Sequence, residues 1–226
     1  MDYMEHTRKE LLFTNRILQF DIRYWDRREK YQIAPKDEKE LALVLIQSES
    51  HALLRGIKSG VKDNNLRVAG LTLRSLLEST ANAYWISTDK SGKRAKKYMA
   101  VMDNYSEYLD KLGSNGMTRI PQEVSSWTTS SAEDRLKAFS PQAGMVWDYC
   151  SAFTHPSPTY MSLHRGAPKV LDYVIGQANT YTLTTRHIIL DSCDVYNDHE
   201  TKFLNNLAQQ LLIDKLPQNL ARFGKP

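Results

Sequence analysis

A single apolar stripe along residues 64–87 constrains the fold of this chain more than any other feature of its sequence. Apolar and small side chains recur there at intervals of three and four residues, which is the spacing of one face of an α-helix. The stripe consists of Leu66, Ala69, Leu73, Leu76, Leu77, Thr80 and Tyr84. A helix of this kind must bury its stripe against other elements, so the segment predicts a packed interior.

The same periodicity returns in most of the remaining chain, and no segment shows the apolar–polar alternation of a half-buried strand. Asp37 is a candidate N-cap and Gly60 a candidate C-terminal stop for the second helix. We predict helices over residues 8–25, 38–59, 64–87, 92–112, 132–139, 142–154, 168–197 and 199–214. The fold class is therefore predicted as all-α, a helical bundle of about six to eight helices.

The length of 226 residues suits one large domain or two small ones. Apolar residues make up 41% of the chain, which is enough to fill a sizeable core and excludes wholesale disorder. We predict a single helical domain over 1–226, with an N-terminal helix and loop over 1–37, a bundle core over 38–197, and a C-terminal helix and tail over 198–226. The longest irregular segment, 113–131, is a candidate lid or surface loop.

Charge and hydropathy restrict the partners and the cellular location that the chain can have. The net charge of +4 permits an acidic partner but lacks the strength of a dedicated nucleic-acid binder. The N-terminal residues are charged from Asp2 onward and lack the apolar core of a signal peptide. No run approaches the roughly 18 apolar residues that a membrane span needs. We predict a soluble cytoplasmic protein that does not contact a membrane.

Neither metal nor disulfide chemistry is indicated. The two cysteines, Cys150 and Cys193, lie inside predicted helices, and two cysteines alone cannot form a tetrahedral zinc site or a disulfide framework. Neither His164 nor the later acidic run that ends at His199 has a diagnostic ligand spacing. A Gly-rich phosphate loop and a Gly-x-Ser-x-Gly elbow are also missing from the sequence. We predict no metal site and no cofactor.

Arg74 and Glu78 form the first candidate site. They lie four residues apart on the helix predicted over 64–87 and are therefore neighbours on one face. This face lies between the leucine stripe and a second apolar strip of Leu71 and Trp85, beside the core, where an unpaired charge is costly. Two interpretations stay open: a salt bridge that organises helix packing, or a pocket wall in which Arg74 meets a phosphate or carboxylate.

His155 forms the second candidate site. It ends a predicted helix in the stretch YCSAFTHPSP, because Pro156 disfavours helical geometry in the residue before it. Ser151 lies four residues before the histidine and Asp148 seven, so both can share its face. His155 is either a favourable charge at a helix C-terminus or a general base or ligand contact that faces a cleft.

A basic turn forms the third candidate site. Its basic residues, opposed only by Asp89, are Lys90, Lys93, Arg94, Lys96 and Lys97. One interpretation is a solvated helix start. The other is a phosphate or nucleic-acid patch that Tyr98 and Tyr105 could line. The residues assigned to such a patch are Lys93, Arg94, Lys96 and Lys97.

Two motifs together resemble a known group of proteins. They are LTLRSLLESTANAYWI at 71–86 and WDYCSAFTHPSP at 147–158, an Arg-x-x-x-Glu helix followed by a Ser-x-x-x-His-Pro-Ser stop. The combination resembles uncharacterised bacterial all-helical proteins that are similar to the HEPN superfamily (higher eukaryotes and prokaryotes nucleotide-binding), common in toxin–antitoxin and phage-defence systems. The motifs cover under a fifth of the chain, and the helix order extends the similarity to roughly 38–197. The resemblance implies a helical bundle, a nucleotide-related or defence context, and a homodimer paired through long helices.

The ribonuclease motif of active HEPN proteins is missing from this sequence. Active members carry an arginine, four to six further residues and then a histidine on one helix. No arginine here stands five to seven positions before any of the six histidines. The nearest one before His155 is Arg135, across a break at Pro141 and Gly144. The resemblance therefore implies the bundle but not nuclease activity.

Three functional hypotheses stay open. In the leading one, the chain is a HEPN-like binding or regulatory module with a polar pocket for a nucleotide, RNA or another phosphate-bearing ligand, and His155 points inward. The pocket would be lined by Arg74, Glu78, Ser151 and His155. In the second, the chain is a metal-independent ribonuclease, with His155 as general base and Arg74 stabilising the charge of the transition state. In the third, it is an antitoxin- or immunity-like interaction protein without a pocket.

Overall fold

The computed structural model describes residues 3–111, 128, 130–154 and 158–212, and the regular structure within these ranges is helical throughout, without a strand. The prediction of an all-α helical bundle is confirmed. The helices are α1 (Tyr3–Lys30), α2 (Glu38–Lys62), α3 (Leu66–Ser87), α4 (Lys93–Lys111), α5 (Ala132–Phe139), α6 (Pro141–Ser151), α7 (Pro158–Arg165), α8 (Ala167–Ser192) and α9 (Asp198–Leu212).

The nine helices of the described ranges exceed the predicted count of about six to eight. The additional one is α7, whose short length gives too few turns for a clear period. The long helix predicted to reach residue 197 ends at Ser192, because Cys193 adopts an extended conformation (φ −149°, ψ 147°). Of the segment predicted as irregular, 113–131, only residues 128, 130 and 131 are described.

Local capping explains where several helices begin. The Asp37 side chain accepts a hydrogen bond from the Glu40 backbone N–H at 2.7 Å, so the predicted N-cap of α2 is confirmed. Ser131 forms a capping box at the start of α5. Gly60 does not end α2, which continues to Lys62. A Cβ atom at Gly60 would lie 2.9 Å from the backbone nitrogen of Ala69, so the glycine permits close packing of α2 on α3.

The apolar stripe of α3 is the centre of the core. Leu66 is 2% exposed, and Leu73, Leu76 and Leu77 are fully buried. On the same helix, the Thr80 hydroxyl lies 2.9 Å from the Thr185 hydroxyl of α8. Buried apolar surface of this kind is the main stabilising contribution to a fold. No helix in the described ranges is both long and apolar enough to cross a membrane.

A buried ion pair joins α1 to α8. Asp21 and Arg186 are both 0% exposed, and Arg186 donates to the two Asp21 carboxylate oxygens from Nε at 2.8 Å and from Nη2 at 2.7 Å. From α2, Gln47 donates to Asp21 Oδ1 at 3.1 Å, His51 lies 3.0 Å from Asp21 Oδ2, and Ser50 accepts from Arg186 Nη1 at 2.5 Å. The pair therefore fixes three helices against one another.

We expect Arg186→Met to lower the free energy of unfolding by about 3–5 kcal/mol, because it leaves the buried Asp21 carboxylate without its charge partner. The combination of Arg186→Met with Asp21→Leu should cost less than the single change, since no buried charge remains. Urea unfolding at neutral pH measures both values. As a control, Lys36→Met removes an ion pair whose side chains are 67% and 94% exposed and should leave the midpoint nearly unchanged. A double variant less stable than Arg186→Met would contradict this account.

Candidate functional site

α3 carries Arg74 and Glu78 on a face beside its buried leucine stripe. Arg74 Nε lies 3.6 Å from Glu78 Oε1, and the two side chains are 27% and 37% exposed. The predicted proximity on one helix face is therefore present. The pair is neither buried nor fully solvated, so both charged groups remain accessible from one side.

α6 supplies the other wall of this site. The Trp147 indole N–H donates to Glu78 Oε1 at 2.7 Å. The guanidinium carbon of Arg74 lies 4.0 Å from the centroid of the Trp147 ring, within cation–π distance. Arg74 Nη1 donates to the Ser151 hydroxyl at 3.3 Å. The structure thus brings together three of the four predicted pocket residues, and we call Arg74, Glu78, Trp147 and Ser151 the Arg74 cluster.

Sequence reasoning missed Trp147. The available signal was its position four residues before Ser151, which places both residues on one face of α6. Asp148, predicted to share a face with His155, is an exposed residue. His155 and the next two residues lie outside the described part of the chain, so the predicted inward contact of this histidine with Glu78 or Arg74 stays a prediction.

The turn before His155 is anchored to α3. Phe153 is fully buried and meets Tyr149 edge-on at a centroid distance of 5.7 Å. A Cβ atom at Gly70 would lie 2.2 Å from Phe153 Cδ2, far inside van der Waals contact. Gly70 is one helical turn before Arg74, so the ring seats the end of α6 beside the Arg74 cluster.

A second set of polar groups continues along α3. Arg135 of α5 donates from Nε to Asn82 Oδ1 at 3.0 Å, and its positive charge acts on Glu78. Ser79 donates to Glu49 Oε2 at 3.0 Å. Burial raises the pKa of Glu49, the Ser79 hydrogen bond opposes this shift, and the charge of Glu78 adds to it. The surroundings of Glu78 therefore contain charges of both signs.

The basic turn contains two kinds of residue. Arg94 is held in place, because its guanidinium carbon lies 3.7 Å from the Trp85 ring centroid and Nη1 donates to the Trp85 carbonyl at 2.8 Å. The Arg94 backbone N–H and the Ser91 donors lower the pKa of Asp89 to about 2. The remaining candidate residues of the patch are exposed, namely Lys93, Lys96 and Lys97. Lys90 of this turn is exposed as well, and Lys96 Nζ lies 4.0 Å from Glu38 Oε2 in a solvent-exposed ion pair.

Cys150 is a buried core residue, and potential metal ligands do not cluster within the described ranges. Cys150 is fully buried, and burial raises the pKa of its thiol to about 12, against a smaller opposing effect of the Arg74 charge. The thiol stays protonated at neutral pH and packs in the core. Within the described ranges, no three histidine, cysteine or carboxylate side chains form a group that could hold a metal ion.

No family model, curated protein or solved structure matches the chain. The resemblance to the HEPN superfamily therefore depends on the two sequence motifs alone. Of these motifs, the structure describes the Arg-x-x-x-Glu helix completely and the second one up to residue 154.

We expect Gly70→Ala to lower the free energy of unfolding by about 1–3 kcal/mol through overpacking against Phe153, although alanine is the better helix former. Gly144→Ala is the matched control, because its Cβ would meet only the flexible Lys137 side chain, at 3.3 Å from Cγ. That variant should be at least as stable as the wild type. Urea unfolding compares the two, and equal midpoints would show that Phe153 is not seated on Gly70.

Proposed function

We propose that the chain is a HEPN-like helical binding or regulatory module whose Arg74 cluster binds a nucleotide or another phosphate-bearing group. The main support for this proposal is that the guanidinium of Arg74 is held in place by neighbouring side chains and is still accessible to solvent. It stacks on Trp147 at 4.0 Å and contacts Ser151, yet the side chain remains 27% exposed. A positioned arginine loses little side-chain freedom when it binds an anion.

Each residue of the Arg74 cluster would contact a different part of the ligand. A guanidinium has five N–H donors in a planar fork that matches phosphate geometry, and Ser151 accepts from only one nitrogen of Arg74. Glu78 holds Trp147 through the 2.7 Å hydrogen bond and offers a carboxylate acceptor to the donors of a base or ribose. His155, which directly follows the last described residue of the turn after α6, is assigned by its sequence position and would complete the pocket.

The proposed setting is the cytoplasm, in a phage-defence or toxin–antitoxin system. It is supported by the two motifs that resemble HEPN-like proteins and by the sequence-level arguments on charge and hydropathy. In this setting a bound nucleotide would act as a signal, and Lys93, Lys96 and Lys97 would add electrostatic attraction for a longer nucleic-acid ligand.

Titration of the full chain with inorganic phosphate, AMP and ATP by calorimetry tests the proposal. We expect Arg74→Gln to weaken binding by at least about tenfold, the scale of one charge-assisted hydrogen bond. Glu78→Gln should strengthen the binding of inorganic phosphate, because it removes a negative charge that repels phosphate beside Arg74. The glutamine still offers Trp147 a hydrogen-bond acceptor. Arg55→Gln on α2 removes the same charge from an exposed position and should have no effect.

Equal affinities of the wild type, Arg74→Gln and Arg55→Gln for every phosphate ligand would contradict the proposal. Metal-independent cleavage of RNA that disappears in His155→Ala would favour the ribonuclease hypothesis instead. Failure to bind any of the three ligands, together with capture of a specific protein partner, would favour the interaction-protein hypothesis.

We also propose that the chain forms a homodimer through its long helices. The apolar surface that could support this contact includes Tyr173 of α8, which is 39% exposed, and Met161 of α7, which is 63% exposed, whereas Tyr181 and Tyr196 are buried at 1% and 9% exposure. Light scattering at tens of micromolar should give twice the monomer mass of 26.0 kDa. A mass of one chain across this concentration range would contradict the dimer.

A further inference from the structure

A groove between α1 and the first turns of α9 encloses about 620 Å³. Binding sites for small organic molecules fall roughly between 300 and 1,000 Å³ and combine a mostly apolar lining with a few convergent polar groups. We propose that this groove is a second binding site, for a small organic anion with a flat apolar body. It shares no residue with the Arg74 cluster and does not depend on the function proposed for that cluster.

The floor of the groove is aromatic. The rings of Phe20 from α1 and Phe203 from α9 are nearly parallel, with an interplanar angle of 3° and centroids 5.7 Å apart. Phe20 is 4% exposed and meets Tyr196 edge-on, so the floor is anchored in the core. At one end Leu12 extends the apolar lining and is 58% exposed. A flat apolar ligand can cover Leu12 and the partly exposed Phe203 and remove their apolar surface from water.

The rim of the groove is cationic. Arg16 and Arg23 lie seven residues apart, on one face of α1. Arg16 Nη1 donates to the amide oxygen of Gln210 at 2.5 Å, a neutral partner that leaves its charge uncompensated. Its guanidinium carbon lies 6.0 Å from the Phe203 ring centroid, and Arg23 is exposed. Within the described ranges, neither arginine forms an ion pair with a carboxylate.

The carboxylate that lines the groove does not cancel this charge. Glu200 accepts two hydrogen bonds from Arg27, at 2.7 and 2.9 Å, and these two side chains compensate each other. Asn15 and Gln19 add neutral polar groups, and His199 adds charge only when protonated. A ligand with a carboxylate, sulfonate or phosphate on a flat apolar body therefore meets arginines for its charge and aromatic side chains for its body.

Calorimetric titration of the full chain with 2-naphthoate, and with the neutral 2-naphthamide of nearly the same shape, tests this site. We expect the amide to bind at least about tenfold more weakly, since it cannot form charge-assisted hydrogen bonds with the arginines. Arg16→Gln and Arg23→Gln should each weaken naphthoate binding by a similar factor, and Phe203→Leu should weaken both ligands. Arg8→Gln is the matched control, because it removes the same charge from an exposed position of α1 outside the groove.

Naphthoate affinity that is the same in Arg8→Gln and Arg23→Gln would overturn the proposal, as would equal binding of naphthoate and naphthamide to the wild type. Absence of naphthoate binding at millimolar concentration would also overturn it. The comparison of the two ligands uses the wild-type chain alone and therefore does not depend on how well any variant folds. Arg74→Gln should bind naphthoate like the wild type, which separates this site from the Arg74 cluster.

Discussion

The buried ion pair of Asp21 and Arg186 is the constraint on which the arrangement of the long helices depends. A guanidinium without access to water must find partners for its donors inside the protein, and an unmatched one would be strongly unfavourable. Arg186 satisfies this condition with Asp21 on α1 and with Ser50 and the Gln47 carbonyl on α2. A shift of one helix by a single turn would separate these groups, so the pair selects one register for three helices.

Electrostatics within this pair keep Asp21 ionised. Burial alone would raise the pKa of its carboxyl, but the Arg186 charge and the hydrogen bonds from His51 and Arg186 together hold it below its ordinary value. Farther along the same interface, Thr14 of α1 donates to Asn179 of α8 at 2.7 Å. Two polar contacts separated by about two helical turns therefore position α1 on α8, although α1 was predicted to lie outside the bundle core.

The sequence predicted those features of the fold that depend on the spacing of residues within one helix. The leucine stripe of α3, the Asp37 cap and the Arg74–Glu78 neighbourhood each depend on local spacing, and all three are present in the structure. The burial of Arg186 could not be predicted, because its partner Asp21 is 165 residues away and its flanking threonines give no apolar period. The contact between Trp147 and Glu78 was missed for the same reason, since it joins two helices that are distant in sequence.

Burial and hydrogen bonding separate the arginines that hold the fold from those that can bind a ligand. The nitrogens of Arg186 all have partners in a site without solvent, so this residue has no capacity to recognise another molecule. Arg74 is held by Trp147 and Ser151 but keeps an accessible edge, and Arg23 is exposed beside an aromatic floor. A guanidinium combines affinity with geometric selectivity when it is both positioned and reachable. Arg74 meets this condition through its contacts with Trp147 and Ser151, and in the α1–α9 groove Arg16 meets it through its hydrogen bond to Gln210.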